Sequence, residues 1–184
     1  MPTSKNNLEL RTHNLKPKVP SLIILGIDPG LADTGFGVIA KQGSKIKMLA
    51  YGSIKTKAKV PTEQRLLAIK NQLSSLIKKH RPEYIAVEKL FFAKNVKTAL
   101  AVGQARGVVI LCAGEHGLKL YEYTPLQVKM ALTSYGQADK KQVQQMIKVV
   151  LGLKEIPKPD DAADALAIAV CCAHSTSFRA PRTC

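Results

Sequence analysis

Four carboxylates in this chain sit where a solvated surface does not explain them. Asp28 ends the apolar run Leu22-Ile23-Ile24-Leu25-Gly26-Ile27, and Glu88 ends Tyr84-Ile85-Ala86-Val87. Asp161 and Asp164 stand three apart in Pro159-Asp160-Asp161-Ala162-Ala163-Asp164-Ala165-Leu166, a spacing that puts both on one helix face. Strand ends that neighbour each other in a sheet can bring such groups together, and the small Ala162, Ala163 and Ala165 let the helix come close. If the first turn of that helix lies across the ends of the strands that carry Asp28 and Glu88, all four acids converge. Unpaired carboxylates at one point repel, and a raised pKa or bound cations relieve the repulsion. An oxygen-only donor set suits hard octahedral ions, Mg²⁺ with Mn²⁺ as a substitute. Two such ions, about 3.5–4 Å apart, clamp a phosphodiester, activate water and stabilise the leaving oxyanion. Some acids of these stretches also have a plainer role. Asp160, ahead of the helix, is expected as its N-cap; Asp161 in the first turn complements the helix dipole; Asp28 before Pro29-Gly30 suits a turn.

The surroundings of these acids are basic. Lys and Arg number 28 against 13 Asp and Glu in 184 residues, a net charge of +15. Residues 21–174 alone keep 22 bases and 12 acids, so the basic character belongs to the expected folded part. A folded domain of this charge points to a polyanion, nucleic acid first. No run reaches the roughly 20 apolar residues of a membrane-spanning helix.

The elements that must position the acids follow from periodicity. Leu22–Ile27, Thr34–Ala40 and Lys45–Ile54 read as three strands of an antiparallel meander, the second broken by Gly35 and Gly37. Pro61 opens a helix with Leu66, Ile69, Leu73, Leu76 and Ile77 at helical spacing, and His80-Arg81-Pro82 ends it. Tyr84–Val87 is a short buried strand. A long Ala- and Gly-rich helix runs from about Asn95 to His116, with Gly117 as its stop, and Leu118–Tyr123 is a fifth strand. Helices then begin at Pro125, span Lys140–Leu151 and close the domain over Asp160–His174. The order predicts an α/β fold, a five-stranded mixed sheet flanked by helices.

Residues 1–20 read as a disordered basic arm without a signal core, residues 21–174 as the domain, and residues 175–184 as a disordered tail. Cys112, Cys171, Cys172 and Cys184 lack metal-ligand spacing and read as free, mostly buried thiols of a reducing, cytoplasmic protein.

Ordered blocks extend this pattern across the chain. Ile24-Leu25-Gly26-Ile27-Asp28-Pro29-Gly30 with Thr34-Gly35-Phe36-Gly37-Val38-Ile39, Tyr84 to Asn95, Gly103-Gln104-Ala105-Arg106-Gly107, Gln127-Val128-Lys129, Lys140 to Gln144 and Asp161 to Ala167 follow in sequence. Together they resemble the RuvC family of Holliday-junction resolvases, which have the ribonuclease H-like fold. The resemblance implies that Asp28, Glu88, Asp161 and Asp164 are metal-binding catalytic acids, with two ions per site. It implies a homodimer that nicks opposed strands of a four-way DNA junction, partnered by the RuvA and RuvB branch-migration proteins. It also implies that Phe91, with Phe92 beside it, contacts junction bases, and that Lys129 and Lys140 serve in DNA contact or catalysis. Ala99, Gly103 and Gly107 are the expected dimer face; packing against the chain's own sheet is the other use of such residues.

Two positions depart from the family pattern. Lys89 replaces the usual Gln after Glu88, and Leu31-Ala32-Asp33 replaces a loop that is commonly Ser-Arg. The alternatives are an RNA-processing nuclease of the same fold, or a junction-binding module that does not cut. An actin-like ATPase needs two such domains, for which 184 residues are too few.

Overall fold

The computed structural model describes residues 21–89 and 96–176. The element order is β1 (Leu22–Asp28), β2 (Asp33–Gln42), β3 (Lys45–Lys55), α1 (Thr62–His80), β4 (Tyr84–Glu88), α2 (Val96–Glu115), β5 (Lys119–Tyr123), α3 (Pro125–Thr133), α4 (Lys140–Val150) and α5 (Asp160–Ser175). One sheet runs β3-β2-β1-β4-β5. The first three strands form the expected antiparallel meander, and β4 and β5 add in parallel, Ile27 opposite Val87 and Val87 opposite Glu122.

Alternation along the strands divides the core. Leu25, Ile27, Ile85 and Val87 face α1 and α2, where Ile69, Leu73, Ile77, Ala105, Val109 and Cys112 are buried with them. Leu22, Ile24, Ala86 and Tyr123 face the opposite layer of α3, α4 and α5. Side chains two apart share a face, so Asp28 and Glu88 fall on the side of the sheet that α5 covers.

Three strand glycines set how close α5 comes. A Cβ on Gly26 would lie 2.8 Å from the Ala169 Cβ, and one on Gly37 would lie 2.8 Å from Leu166. A Cβ on Gly35 would overlap the backbone carbonyl of Asp161. Gly35 and Gly37 therefore do not break the second strand, which is continuous over Asp33–Gln42. They are the slots into which the helix settles, because removing the side chain brings backbone to backbone. The first turn of α5 consequently rests over β2 as well as over the ends of β1 and β4. Along α5, every residue from Ala165 to Ala173 is buried.

Capping starts the two shorter helices. Thr124 accepts from the Gln127 N–H at 3.1 Å while the Gln127 side chain accepts from the Thr124 N–H at 2.8 Å, with Pro125 at the first helical position. Asp139 and Gln142 form the same reciprocal pair, both bonds 2.8 Å, so Lys140 opens α4. The expectation that Asp160 caps α5 is not met. Pro159 is the N-cap, no side-chain cap bond is made, and Asp160 is the first helical residue. Its carboxylate turns outward to Lys140 instead.

The last helix runs on past residue 174. Ser175 ends α5, its hydroxyl 2.6 Å from that of Tyr123, and the buried Thr176 donates its hydroxyl proton to the Cys172 carbonyl at 2.6 Å. Residues 1–20, residues 177–184 and the Phe91–Phe92 pair lie outside the described residues.

The glycine slots make a direct expectation. Gly35→Ala forces the first turn of α5 off the sheet and lowers stability by about 1–3 kcal/mol, the usual cost of overpacking. Gly114→Ala, on α2 where a Cβ meets open space, is neutral or stabilising by up to about 1 kcal/mol. Urea unfolding of both variants checks this, and equal stabilities would contradict the close-approach argument.

Candidate active site

A cavity of about 220 Å³ opens at the carboxyl ends of β1 and β4, between α3, α4 and α5. Asp28, Glu88 and Asp164 line it together with Lys129 and Lys140, and Pro125, Val128, Val143, Ala167 and Ile168 form an apolar wall. Each polar group arrives from a different element. Asp28 and Glu88 come from adjacent parallel strand ends, Asp164 from the second turn of α5, Lys129 from α3 and Lys140 from the first turn of α4. Three of the four acids picked out by their spacing thus line one cavity, and both predicted lysines share it.

Asp161 is placed differently. It does not line the cavity; its backbone lies against Gly35, and its charge acts on both Asp28 and Asp33. The i, i+3 spacing keeps Asp161 and Asp164 on one side of α5, but the helix crosses the sheet so that Asp161 stands toward β2 and Asp164 toward β4.

The electrostatics are those of an acid cluster short of cations. The Asp28 carboxyl is pushed up to about 7, by burial first and then by the charges of Glu88, Asp164 and Asp161, against a smaller opposing effect of Lys140. Glu88 is raised by burial and by Asp164. Asp164 is also raised, although Lys140 lies on it, because burial outweighs the ion pair. The Lys140 ammonium is 3.1 Å from Asp164 and 3.1 Å from Asp160. The exposed Asp160 is lowered by its hydrogen bond to Lys140.

The donor set fits hard divalent cations. Every acid supplies only oxygen, Asp28 is driven toward protonation by its neighbours, and an ammonium stands against Asp164 as a cation would. Among the described residues, no three Asp, Glu, His or Cys side chains stand close enough together as placed to hold one ion.

The two departures from the family pattern also find places. Lys89 is exposed and does not line the cavity; its backbone N–H donates to the Tyr123 carbonyl at 2.8 Å. Asp33 accepts from the Ser53 hydroxyl and pairs with Lys55 at 4.0 Å. Thr56 secures the same loop, its N–H donating to Ala32 at 2.9 Å and its hydroxyl to Leu31 at 2.6 Å. The acid of this loop is thus engaged with β3. Sequence reasoning missed the apolar wall and the engagement of Asp160 with Lys140. Val128 and Val143 stand inside the blocks around Lys129 and Lys140 without any local signal that they face a cavity, and no sequence periodicity relates α4 to α5.

The family model described as "Crossover junction endodeoxyribonuclease RuvC" matches residues 24–172. A protein of that name from Halothermothrix orenii is 55% identical over 161 residues, covering 88% of this chain and 96% of its own. One from Brevibacillus brevis is 56% identical, covering 84% of this chain and 93% of its own. Among solved structures, Thermus thermophilus RuvC in complex with a Holliday junction substrate superposes with a TM-score of 0.80 at 40% identity, over 83% of this chain and 93% of that one. A yeast mitochondrial Holliday junction resolvase, with a TM-score of 0.63 at 15% identity over 86% of this chain and 80% of that one, shares the fold. With its five-stranded mixed sheet and its acids at the strand ends, the chain belongs to the RuvC family of crossover junction endodeoxyribonucleases, nuclease hydrolases that are metal-dependent in general.

Proposed function

We propose that this chain resolves Holliday junctions, making symmetric paired nicks in four-way DNA junctions by two-metal phosphodiester hydrolysis during recombination and repair. The observation that carries the reading is the cavity in which Asp28, Glu88 and Asp164 meet Lys129 and Lys140. Asp28, Glu88 and Asp164, with Asp161 beside them, hold the cations, Mg²⁺ or in its place Mn²⁺. Bound there, such ions supply Lewis-acid stabilisation of a phosphodiester's developing charge and a lowered pKa for the attacking water. Lys129 and Lys140 bind and orient the non-bridging phosphate oxygens. The apolar wall of Val128, Val143, Ala167 and Ile168 excludes water from one side and so strengthens each of these charge interactions. Hydrolysis leaves 5′-phosphate and 3′-hydroxyl ends that can be rejoined.

A homodimer belongs to the same reading, because two copies about a two-fold axis match a junction's own symmetry. The exposed side of α2 supports it. Leu100, Ile110 and Leu111 are 64%, 38% and 55% exposed, and Gly107 on the same stripe has open space above it. Ala105, Val109 and Cys112 take the sheet-facing side of that helix. Partnership with RuvA and RuvB rests on family membership. A cytoplasmic location is supported by the free, buried Cys112, Cys171 and Cys172, the last two held protonated by burial with pKa values of about 12 and about 11. No helix among the described residues is long and apolar enough to cross a membrane.

A synthetic four-way junction incubated with the protein is nicked symmetrically in Mg²⁺ and left intact in EDTA; binding without nicks, or preferential cleavage of structured RNA, overturns the reading. Asp28→Asn lowers the nicking rate by about 10²-fold or more while junction binding persists, and unchanged nicking refutes the assignment of Asp28.

The raised Asp28 carboxyl also sets a stability profile. Between its ordinary value of 3.8 and about 7 the folded chain keeps this proton and the unfolded chain has released it. Stability of the metal-free protein contributed by this group therefore falls as pH rises through that window. Asp28→Asn removes that part of the slope, and Mg²⁺ restores stability at the alkaline end. Thermal melts at pH 5 and pH 8 check it; identical slopes for parent and variant exclude the effect.

Leu111→Glu places a charge in the α2 stripe and converts the dimer to monomer at micromolar concentration, with the circular dichroism of the fold retained. Sedimentation velocity reads this out, and a variant that stays dimeric moves the interface elsewhere.

A further inference from the structure

Lys140 occupies an unusual position between two acids of different standing. Its ammonium is 3.1 Å from the Asp164 carboxylate, which lines the cavity, and 3.1 Å from that of Asp160, which is exposed and does not. The second oxygen of Asp160 accepts from the Gln144 side chain at 3.3 Å. Lys140 and Gln144 are one turn apart on α4, and Asp160 and Asp164 are one turn apart on α5. The four residues therefore form a clasp between the two helices, with an inner acid, an outer acid and one shared ammonium. The Asp139–Gln142 capping box fixes where α4 begins and hence where the Lys140 stem emerges.

An ammonium and a divalent cation cannot share Asp164 without strong like-charge repulsion. From this geometry we infer that Lys140 is the resident counter-cation of the acid site and exchanges with the metal. When a divalent ion takes Asp164, the ammonium passes to Asp160, which with Gln144 holds it at the rim facing the substrate. This inference rests on the function proposed above and adds a positioning residue, Asp160, to it. Without that outer arm a displaced lysine, with its many rotamers, would be free to scatter. With it, metal loading leaves a cation oriented beside the phosphate that metal and lysine must both contact. Asp160 thus has a function that neither capping nor the helix dipole describes.

Mn²⁺ titration of the metal-free, full-length protein, followed by calorimetry or by the electron paramagnetic resonance of free Mn²⁺, tests the exchange without any DNA. Lys140→Met removes the resident competitor and tightens Mn²⁺ binding about two- to fivefold, the range expected for losing a partly exposed ion pair. Lys141→Met removes the same charge from the next position, which lines a different groove, and changes the affinity less. Asp160→Asn leaves Lys140 entirely to Asp164 and weakens Mn²⁺ binding about twofold, whereas Asp160→Glu keeps the parental affinity. In the Lys140→Met background Asp160→Asn has no effect, because it acts through the lysine. Equal effects of the Lys140 and Lys141 substitutions overturn the inference. So does an Asp160→Asn effect of the same size in both backgrounds, or none in either. Nicking of a four-way junction, measured in parallel, separates this inference from the one beneath it. A parent that shows the coupling but never nicks overturns the proposed function alone; a parent that nicks without the coupling overturns the exchange alone.

Discussion

Everything at this site depends on how closely α5 lies on the sheet. Gly26 on β1 and Gly35 and Gly37 on β2 leave no room for side chains beneath Ala165, Ala169, Asp161 and Leu166. Backbone approach of this kind needs small residues on both partners, and α5 supplies Ala162, Ala163, Ala165, Ala167 and Ala169, all buried. The gain is apolar burial at native density along nearly the whole helix. The consequence is that acids near its N-terminus are carried into the space above the ends of β1 and β4. A helix standing off by one ordinary side-chain layer would leave Asp28 and Glu88 to solvent.

That placement sets the electrostatic character of the molecule. Burial and mutual repulsion make ionising Asp28 unfavourable, as its elevated pKa of about 7 records. The fold answers with Lys140 and Lys129 on the opposite wall, each delivered by a helix with a reciprocal capping box at its start. A net charge of +15 is thus compatible with an acidic centre, because the 28 bases far outnumber the acids while Asp28, Glu88 and Asp164 gather at one cavity. A polyanionic substrate is attracted over long range by the first and meets the second only at the cavity. The separation is one of position rather than of composition.

Ten elements are legible in order and type, because strands buried on both faces read as apolar runs and the helices carry clear periodicity or caps. Gly35 and Gly37 look like strand breakers in the sequence but are not, for a physical reason. Glycine weakens a strand locally, and only the helix lying on β2 shows that here it admits a neighbour. Asp160 suits an N-cap by residue type, yet it stands one position inside the helix and its carboxylate engages Lys140, 20 positions earlier in the chain. The bonds that secure Ser175 and Thr176 involve Tyr123 and the preceding turn, so no local spacing announces them.

The strand and helix inventory, the four candidate acids and the basic surround are legible in the chain, since each is written in local residue type and spacing. Which acids share a cavity is a matter of long-range packing. Period-two alternation puts Asp28 and Glu88 on the same face of the sheet, but the crossing of α5 sends Asp164 into the cavity and Asp161 toward β2. The same packing decides that Lys140 stands between Asp160 and Asp164, a relation between two helix starts that no local spacing encodes. Side-chain chemistry is a property of residues, while the charge environment that tunes it belongs to whatever the fold brings alongside.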